Sequence, residues 1–207
     1  MADLKSKGFR SELISWNRVT KWSRQLAFMI RAEGFPPDVI VAIARGGFVP
    51  ARILCDYLGV NKLTSIQVAH YGAGAEEKEV ARLFSPLNID IQGLRVLLVD
   101  DLVDTGKTLT VALDHLKNGI PKEIKVATLL YKKVSDMEPD FYVKKVISWR
   151  WITFPWAAME DIGGFIGKLA HKPRDIAEAA SILEKEKSLK VPKRILEDVF
   201  SLMGLTP

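Results

Sequence analysis

The segment from residue 96 to residue 108 constrains the fold of this chain more than any other part of its sequence. Residues 96–99 are consecutive apolar residues that predict a buried strand, and two acidic residues follow them directly. A short loop containing Asp, Thr and Gly then leads into the apolar spacing of a helix. Backbone amides and the helix dipole favour an anion at such a strand-to-helix turn. The segment therefore predicts an anion-binding turn at the carboxyl end of a buried strand.

This turn is not a P-loop, although Gly106, Lys107 and Thr108 look like the end of one. The pattern G-x-x-x-x-G-K-[ST] would require a glycine at position 101, which is occupied by Asp101. A nucleoside-triphosphate site of that type is therefore excluded. Two adjacent carboxylates beside an anion-binding turn instead indicate a ligand that combines a phosphate with hydroxyl groups or a metal ion. The alternative is a structural corner whose acidic residues are only solvated.

With its acid pair, its turn and its flanking apolar residues, the segment resembles the motif of type I phosphoribosyltransferases that binds 5-phosphoribosyl 1-pyrophosphate (PRPP). The resemblance implies that Asp100 and Asp101 address the ribose hydroxyls, directly or through Mg²⁺. It also implies a 5′-phosphate site formed by Asp104, Thr105, Gly106, Lys107 and Thr108. A carboxylate is unfavourable in a phosphate pocket, so we expect Asp104 to act as a general base at the imidazole edge of a purine.

A second turn, Ala44-Arg45-Gly46-Gly47, follows the apolar run 39–44, which predicts a parallel strand buried on both faces. Two glycines there permit positive φ and a close approach of the backbone to a ligand. In the same family the corresponding loop binds pyrophosphate and usually contains a non-proline cis peptide, which the resemblance places at Ala44–Arg45. It implies that Arg45 stabilises charge on the departing pyrophosphate. Taken alone, the turn could be an ordinary tight turn.

Residues 70–84 carry glycine and charge without periodicity, so they predict a mobile loop. The family has a flexible hood at this place, and the resemblance implies that Tyr71, Lys78 and Arg82 could reach the pyrophosphate when it closes. A solvated surface loop is the equal alternative for each of these residues.

The aromatic segment 149–156 resembles the base-binding segment of microbial xanthine-guanine and archaeal purine phosphoribosyltransferases. The resemblance implies that Trp151 stacks on the base and that the backbone of Ile152 reads its edge, whereas Trp149 and Trp156 are expected to be core or interface residues. It also implies that Lys132 donates to a purine O6, with Lys133 as the alternative register. The acidic residue usual after Pro-Trp is absent, since Ala157 stands there.

Strand and helix patterns alternate along the 207 residues and predict a doubly wound, mainly parallel α/β sheet of about five strands. We expect a phosphoribosyltransferase core over 1–158 and a small helical extension over 159–207, with helices at 160–170, 174–187 and 192–203. A helical tail of this length resembles crenarchaeal adenine phosphoribosyltransferases, whereas Lys132 favours a 6-oxopurine. The choice between adenine and hypoxanthine, guanine or xanthine therefore stays open.

The expected reaction converts PRPP and a purine base into a nucleoside 5′-monophosphate and pyrophosphate with Mg²⁺. A single cysteine, Cys55, and no membrane-length apolar run predict a cytoplasmic protein, and family resemblance favours a homodimer. The net charge of +5 lies before residue 160, because the tail carries equal numbers of basic and acidic residues. That balance disfavours nucleic acid as a partner. The alternatives are a pyrimidine acceptor and a regulator that senses PRPP or a nucleotide with the same fold.

Overall fold

The computed structural model describes residues 10–71 and 80–205, except for the side chains at 69–71 and 80. Its contacts divide the chain into two compact units. The first unit combines Met1–Arg18 with Trp149–Pro207, and the second unit is Val19–Ser148. Residues 149–158, which the sequence assigns to the core, belong to the first unit by their contacts. The elements, in chain order, are β1 (Ser11–Leu13), α1 (Trp16–Ala32), β2 (Val39–Ala44), α2 (Phe48–Leu58), β3 (Leu63–Tyr71), β4 (Val80–Ser85), β5 (Arg95–Val103), α3 (Lys107–Lys117), β6 (Glu123–Lys132), β7 (Phe141–Val146), β8 (Trp151–Thr153), a 3₁₀ turn (Pro155–Ala157), α4 (Ala158–Gly167), α5 (Ile176–Lys187) and α6 (Lys193–Met203).

The second unit contains a six-stranded sheet in the order β4-β3-β2-β5-β6-β7. Five of these strands run parallel, and β4 pairs antiparallel with β3 at one edge. The prediction of a mainly parallel α/β sheet is thereby confirmed. The strand order reverses between β2 and β5, and open α/β sheets bind ligands beyond the carboxyl ends of strands at such a reversal. Both predicted binding turns follow these two strands.

Strands β2 and β5 contain uninterrupted apolar runs, as is typical of central strands that are covered on both faces. Their residues are almost completely buried, and α3 covers one face with Leu109, Ala112 and Leu116. Burying a side chain of this kind contributes roughly 1.5–3 kcal/mol. The single cysteine, Cys55, is buried on α2.

An ion pair fixes the opposite end of these strands. Arg95 donates to Asp38 through Nε at 3.0 Å, through a terminal nitrogen at 2.8 Å and through its backbone amide at 2.8 Å. These hydrogen bonds hold the pKa of the Asp38 carboxyl well below its usual range. The bidentate contact ties the start of β5 to the turn before β2.

The prediction of an irregular loop over residues 70–84 is wrong at both of its ends. Strand β3 continues to Tyr71, and β4 begins at Val80. The sequence of β4 does not show the usual alternation of apolar and polar residues, because the small Ala81 packs against the core while the large Phe84 is 62% exposed. Arg82 lies exposed on this strand. Lys78 and the side chain of Tyr71 lie outside the described residues.

The first unit contains a parallel pair of strands, β1 and β8, and three helices. Buried residues of α4, α5 and α6 form its core, among them Ile162, Leu183 and Phe200. Side-chain capping begins α5, because the N-cap Asp175 accepts from the Glu178 amide at 2.8 Å and Glu178 accepts from the Arg174 amide at 2.7 Å. The helices predicted near 160–170, 174–187 and 192–203 are present as α4, α5 and α6.

Over residues 10–71 and 80–205, no helix combines the length and the apolar character that crossing a membrane would require.

Candidate active site

The Arg-Gly-Gly turn packs against the acid pair of the neighbouring strand. The Ala44–Arg45 peptide is cis, as the family resemblance implies. A Cβ on Gly46 would lie 2.6 Å from Asp101 Oδ1, so a side chain there would displace this carboxylate. A Cβ on Gly47 would lie 2.7 Å from the Ile43 carbonyl oxygen, so space excludes a side chain there too. Neither glycine has a positive φ, so that part of the expectation is wrong and close approach alone explains them.

The acid pair lies inside β5, which continues to Val103 instead of ending at Val99 as predicted. Asp100 is buried, and its carboxylate accepts from the Asp101 amide at 2.9 Å. Burial raises the pKa of Asp100 well above its usual range, and the negative charge of Asp101 raises it further. Two adjacent carboxylates of this kind favour a cation or several hydroxyl donors as their ligand.

Glycine is required at the turn over residues 104–108 for both conformation and space. Gly106 has φ of 90°, and a Cβ there would lie 3.0 Å from Ser135 Oγ and 3.1 Å from Met137 Cβ. Helix α3 begins at the next residue, so its first amides are at this turn. Thr105 and Lys107 are exposed, and Thr108 is half-buried. The turn therefore has the backbone geometry of an anion site.

A buried lysine meets the expected general base. Lys132, at the end of β6, is 2% exposed, and its Nζ donates to Asp104 Oδ2 at 2.7 Å. The Asp104 side chain is 45% exposed, so it presents one side of its carboxylate to solvent. Lys133 is exposed. Of the two candidate lysines, Lys132 is therefore the one that the fold brings to the acidic turn.

Sequence reasoning missed the contribution of the loop that follows β6. Ser135 and Met137 contact Gly106, and the Asp136 amide donates to the Thr105 carbonyl oxygen at 3.3 Å. The polar run over 133–140 indicates a loop, but it does not indicate which turn the loop supports. This loop therefore supports the turn over residues 104–108 from a distant part of the sequence.

The predicted base-binding residues lie in the first unit, on β8. The Trp151 side chain is 38% exposed, and its Nε1 donates to Asp161 Oδ2 at 2.9 Å. Ile152 is buried. Trp156 is half-buried and stacks on Phe154 with 4.8 Å between ring centroids. Trp149 is 41% exposed within this chain, so it is not a core residue.

Asp100 and Asp101 are the residues that could hold a metal ion. Among the described residues, no group of three or more His, Cys, Asp or Glu side chains is arranged to bind one. Two carboxylates suffice for Mg²⁺ when phosphate oxygens and waters supply the remaining ligands. The donor set therefore fits a metal that arrives with a phosphorylated substrate.

The chain is similar to known proteins over most of its length. Residues 10–161 match the phosphoribosyl transferase domain family. A xanthine-guanine phosphoribosyltransferase from Ruegeria sp. (strain TM1040) is 35% identical over 160 residues, which cover 72% of this chain and 85% of that protein.

Two solved structures are similar to most of the chain. A purine phosphoribosyltransferase from Pyrococcus horikoshii Ot3 has a TM-score of 0.64 and 37% identity, covering 70% of this chain and 93% of its own. A hypothetical protein from Neisseria gonorrhoeae with bound ppGpp has a TM-score of 0.63 and 27% identity, covering 72% and 89%.

Proposed function

The chain belongs to the phosphoribosyltransferase family, and from its site we propose that it transfers a phosphoribosyl group from PRPP to a 6-oxopurine. The products would be a nucleoside 5′-monophosphate and pyrophosphate. Relatives named for xanthine and guanine support a purine acceptor, and the Pyrococcus structure is that of a purine enzyme.

The contact between Lys132 and Asp104 is the observation that carries the choice of base. A lysine ammonium only donates hydrogen bonds, so it complements the carbonyl O6 of hypoxanthine, guanine or xanthine. The exocyclic N6 of adenine is itself a donor and would leave this buried cation poorly matched. The 2.7 Å contact with Asp104 gives the buried Lys132 a partner of opposite charge and holds its Nζ at the acidic turn.

The two turns have separate roles in the transfer. As the bond from ribose C1′ to pyrophosphate breaks, Arg45 and the amides of its turn stabilise charge on the leaving group. A purine nitrogen then forms the new bond to C1′, and Asp104 takes up the proton that this nitrogen releases. Asp100 and Asp101 orient the ribose hydroxyls. Bound Mg²⁺ would be held by these two carboxylates and would neutralise phosphate charge.

The remaining site residues complete the proposal. Thr105, Gly106, Lys107 and Thr108 hold the 5′-phosphate through amides and hydroxyls. Ala44, Gly46 and Gly47 line the pyrophosphate turn. We propose Tyr71 and Lys78 as pyrophosphate-binding residues, Trp151 as the residue that stacks on the base, and the Ile152 backbone as the group that reads the base edge. We further propose a cytoplasmic homodimer.

The second candidate is a regulator that binds PRPP or a nucleotide without transfer. The similar Neisseria structure holds ppGpp, which favours nucleotide binding by this fold. A nucleic-acid surface on the tail is less well supported. Its basic residues Lys190 and Lys193 pair with Glu184 and Glu197 at 3.3 Å and 3.5 Å.

Nucleotide formation from PRPP and Mg²⁺ with adenine, hypoxanthine, guanine and xanthine in parallel tests the proposal. We expect product with one or more of the three oxopurines. Product with adenine alone would contradict the role of Lys132. PRPP or ppGpp binding without product from any base would favour the regulator. Omission of Mg²⁺, with EDTA present, should abolish turnover if the acid pair acts as described.

A further inference from the structure

One helix holds the ring of Trp151 at two points. The indole Nε1 donates to Asp161 at 2.9 Å, and the ring meets Phe165 edge-on with 6.3 Å between centroids. Asp161 and Phe165 are four residues apart on α4, so they lie on the same face of that helix. The hydrogen bond sets the direction of the indole edge, and the aromatic contact sets the tilt of its plane.

The helix that supplies these contacts is itself firmly anchored. Ala158, Ile162 and Ile166 form a buried stripe along α4 that packs into the core of the first unit. Asp161 lies in the first helical turn, where the helix dipole favours a negative charge. The acceptor for Trp151 is therefore placed by the packing of the extension formed by α4, α5 and α6.

An exposed aromatic needs such support in order to stack well. Trp151 is 38% exposed, so burial alone does not restrict its ring to a single orientation. Fixing a side chain at the moment of binding costs conformational entropy, and fixing it beforehand removes that cost. A base that stacks on a fixed ring is bound more tightly than one that stacks on a mobile ring.

We propose that the helical extension positions Trp151 for the base, with Asp161 and Phe165 as positioning residues. The inference rests on the proposed function, because it takes the purine as the ligand of Trp151. It gives α4 a function in substrate selection, although most of the extension lies beyond the matched residues 10–161. Asp161 is the last matched residue, whereas Phe165 and the helices that pack α4 lie beyond it, so part of the support for Trp151 comes from outside the matched segment.

Steady-state kinetics of Asp161→Ala, Asp161→Asn and Phe165→Leu test the proposal. The Ala and Leu variants should raise KM for the base about five-fold, the usual effect of one partly exposed hydrogen bond or ring contact, and leave KM for PRPP within about two-fold. Asp161→Asn keeps an acceptor oxygen and should restore most of the affinity for the base. Asp198→Asn, an exposed carboxylate on α6, is the matched control and should change neither constant. Equal loss of affinity for both substrates, or an unchanged KM for the base in the Ala and Leu variants, would overturn the proposal.

A measurement without turnover separates this inference from the proposed function. The indole N–H signal of Trp151 in ¹⁵N-labelled protein is assigned from its absence in Trp151→Phe. In Asp161→Ala it should shift upfield and exchange faster with solvent, whereas in Asp198→Asn it should not move. An unchanged signal in Asp161→Ala would overturn the positioning role. If the wild-type protein formed no nucleotide but the signal moved as expected, the proposed function would fail and the structural support of Trp151 would stand.

Discussion

Replacing Asp104 by Asn separates the chemistry of this site from its architecture. The Asn side chain keeps an oxygen where Asp104 Oδ2 accepts from Lys132 at 2.7 Å, so the local geometry should survive. The hydrogen bond loses the charge on one partner. Because the Asp104 side chain is 45% exposed, solvent already screens part of that charge, and we expect a loss of about 1 kcal/mol. The melting temperature should fall by about 2–4 °C.

The effect on turnover should be far larger. An amide cannot take up the proton of the purine, and loss of a general base typically lowers kcat by about 10²–10⁴-fold. KM for PRPP should change by less than about three-fold, because the amides of the turn and the acid pair still hold the phosphate and the ribose. Initial rates of nucleotide formation at varied PRPP, with the base at saturation, measure both constants.

A matched variant controls for the loss of one negative charge beside a lysine. Asp114 on α3 pairs with Lys117 at 3.7 Å, and the two side chains are 69% and 67% exposed. Asp114→Asn should leave kcat and the melting temperature unchanged. Retention of kcat within about five-fold in Asp104→Asn, or a fall matched by Asp114→Asn, would refute the assignment of Asp104 as the base.

Three further predictions follow from packing and charge. Gly47→Ala should lower the free energy of unfolding by about 1–3 kcal/mol, because the new methyl group would overlap backbone oxygens. Gly164→Ala on α4 is the control, since a Cβ there faces open space and should not lower it. Thermal unfolding compares the two variants, and equal melting temperatures would contradict the predicted overlap at Gly47. Because the folded-state pKa of Asp38 lies below its unfolded value, its bond to Arg95 stabilises the protein above about pH 4 and loses that effect as the pH falls further. Asp38→Asn should therefore lower the free energy of unfolding by about 1 kcal/mol at pH 7. Urea unfolding at a series of pH values should also show a smaller loss of this free energy below about pH 4 in the variant than in the wild type. An equal loss in both proteins would refute the prediction. The pKa of Asp100 is higher in the folded protein than in the unfolded chain, so ionisation of Asp100 destabilises the folded state at pH 7. Asp100→Asn should therefore raise the melting temperature at pH 7 while it lowers activity. A lower melting temperature would contradict this prediction.

Elements with a strong local pattern could be read from the sequence. The apolar run 39–44 forms β2, and the helical spacing that follows Gly106 forms α3, because a continuous apolar run and a helical period are properties of neighbouring residues. Gly59 ends α2 with φ of 70°, and Ser15 accepts from the Arg18 amide at 3.3 Å at the start of α1, both as their residue types predict. The two predicted binding turns are recognisable for the same reason.

The acid pair, the glycine turns and the family resemblance are thus determined by the sequence itself. Contacts between distant segments were decided only by the tertiary structure. Strands β1 and β8 are three residues each and pair across most of the chain, so neither has a period long enough to detect. Lys132, and not Lys133, contacts Asp104 because of the direction in which each side chain leaves the end of β6. The contact of Trp151 with Asp161 likewise depends on where α4 packs. A local pattern specifies how a segment folds, whereas the partner that each side chain meets is selected by packing over the whole unit.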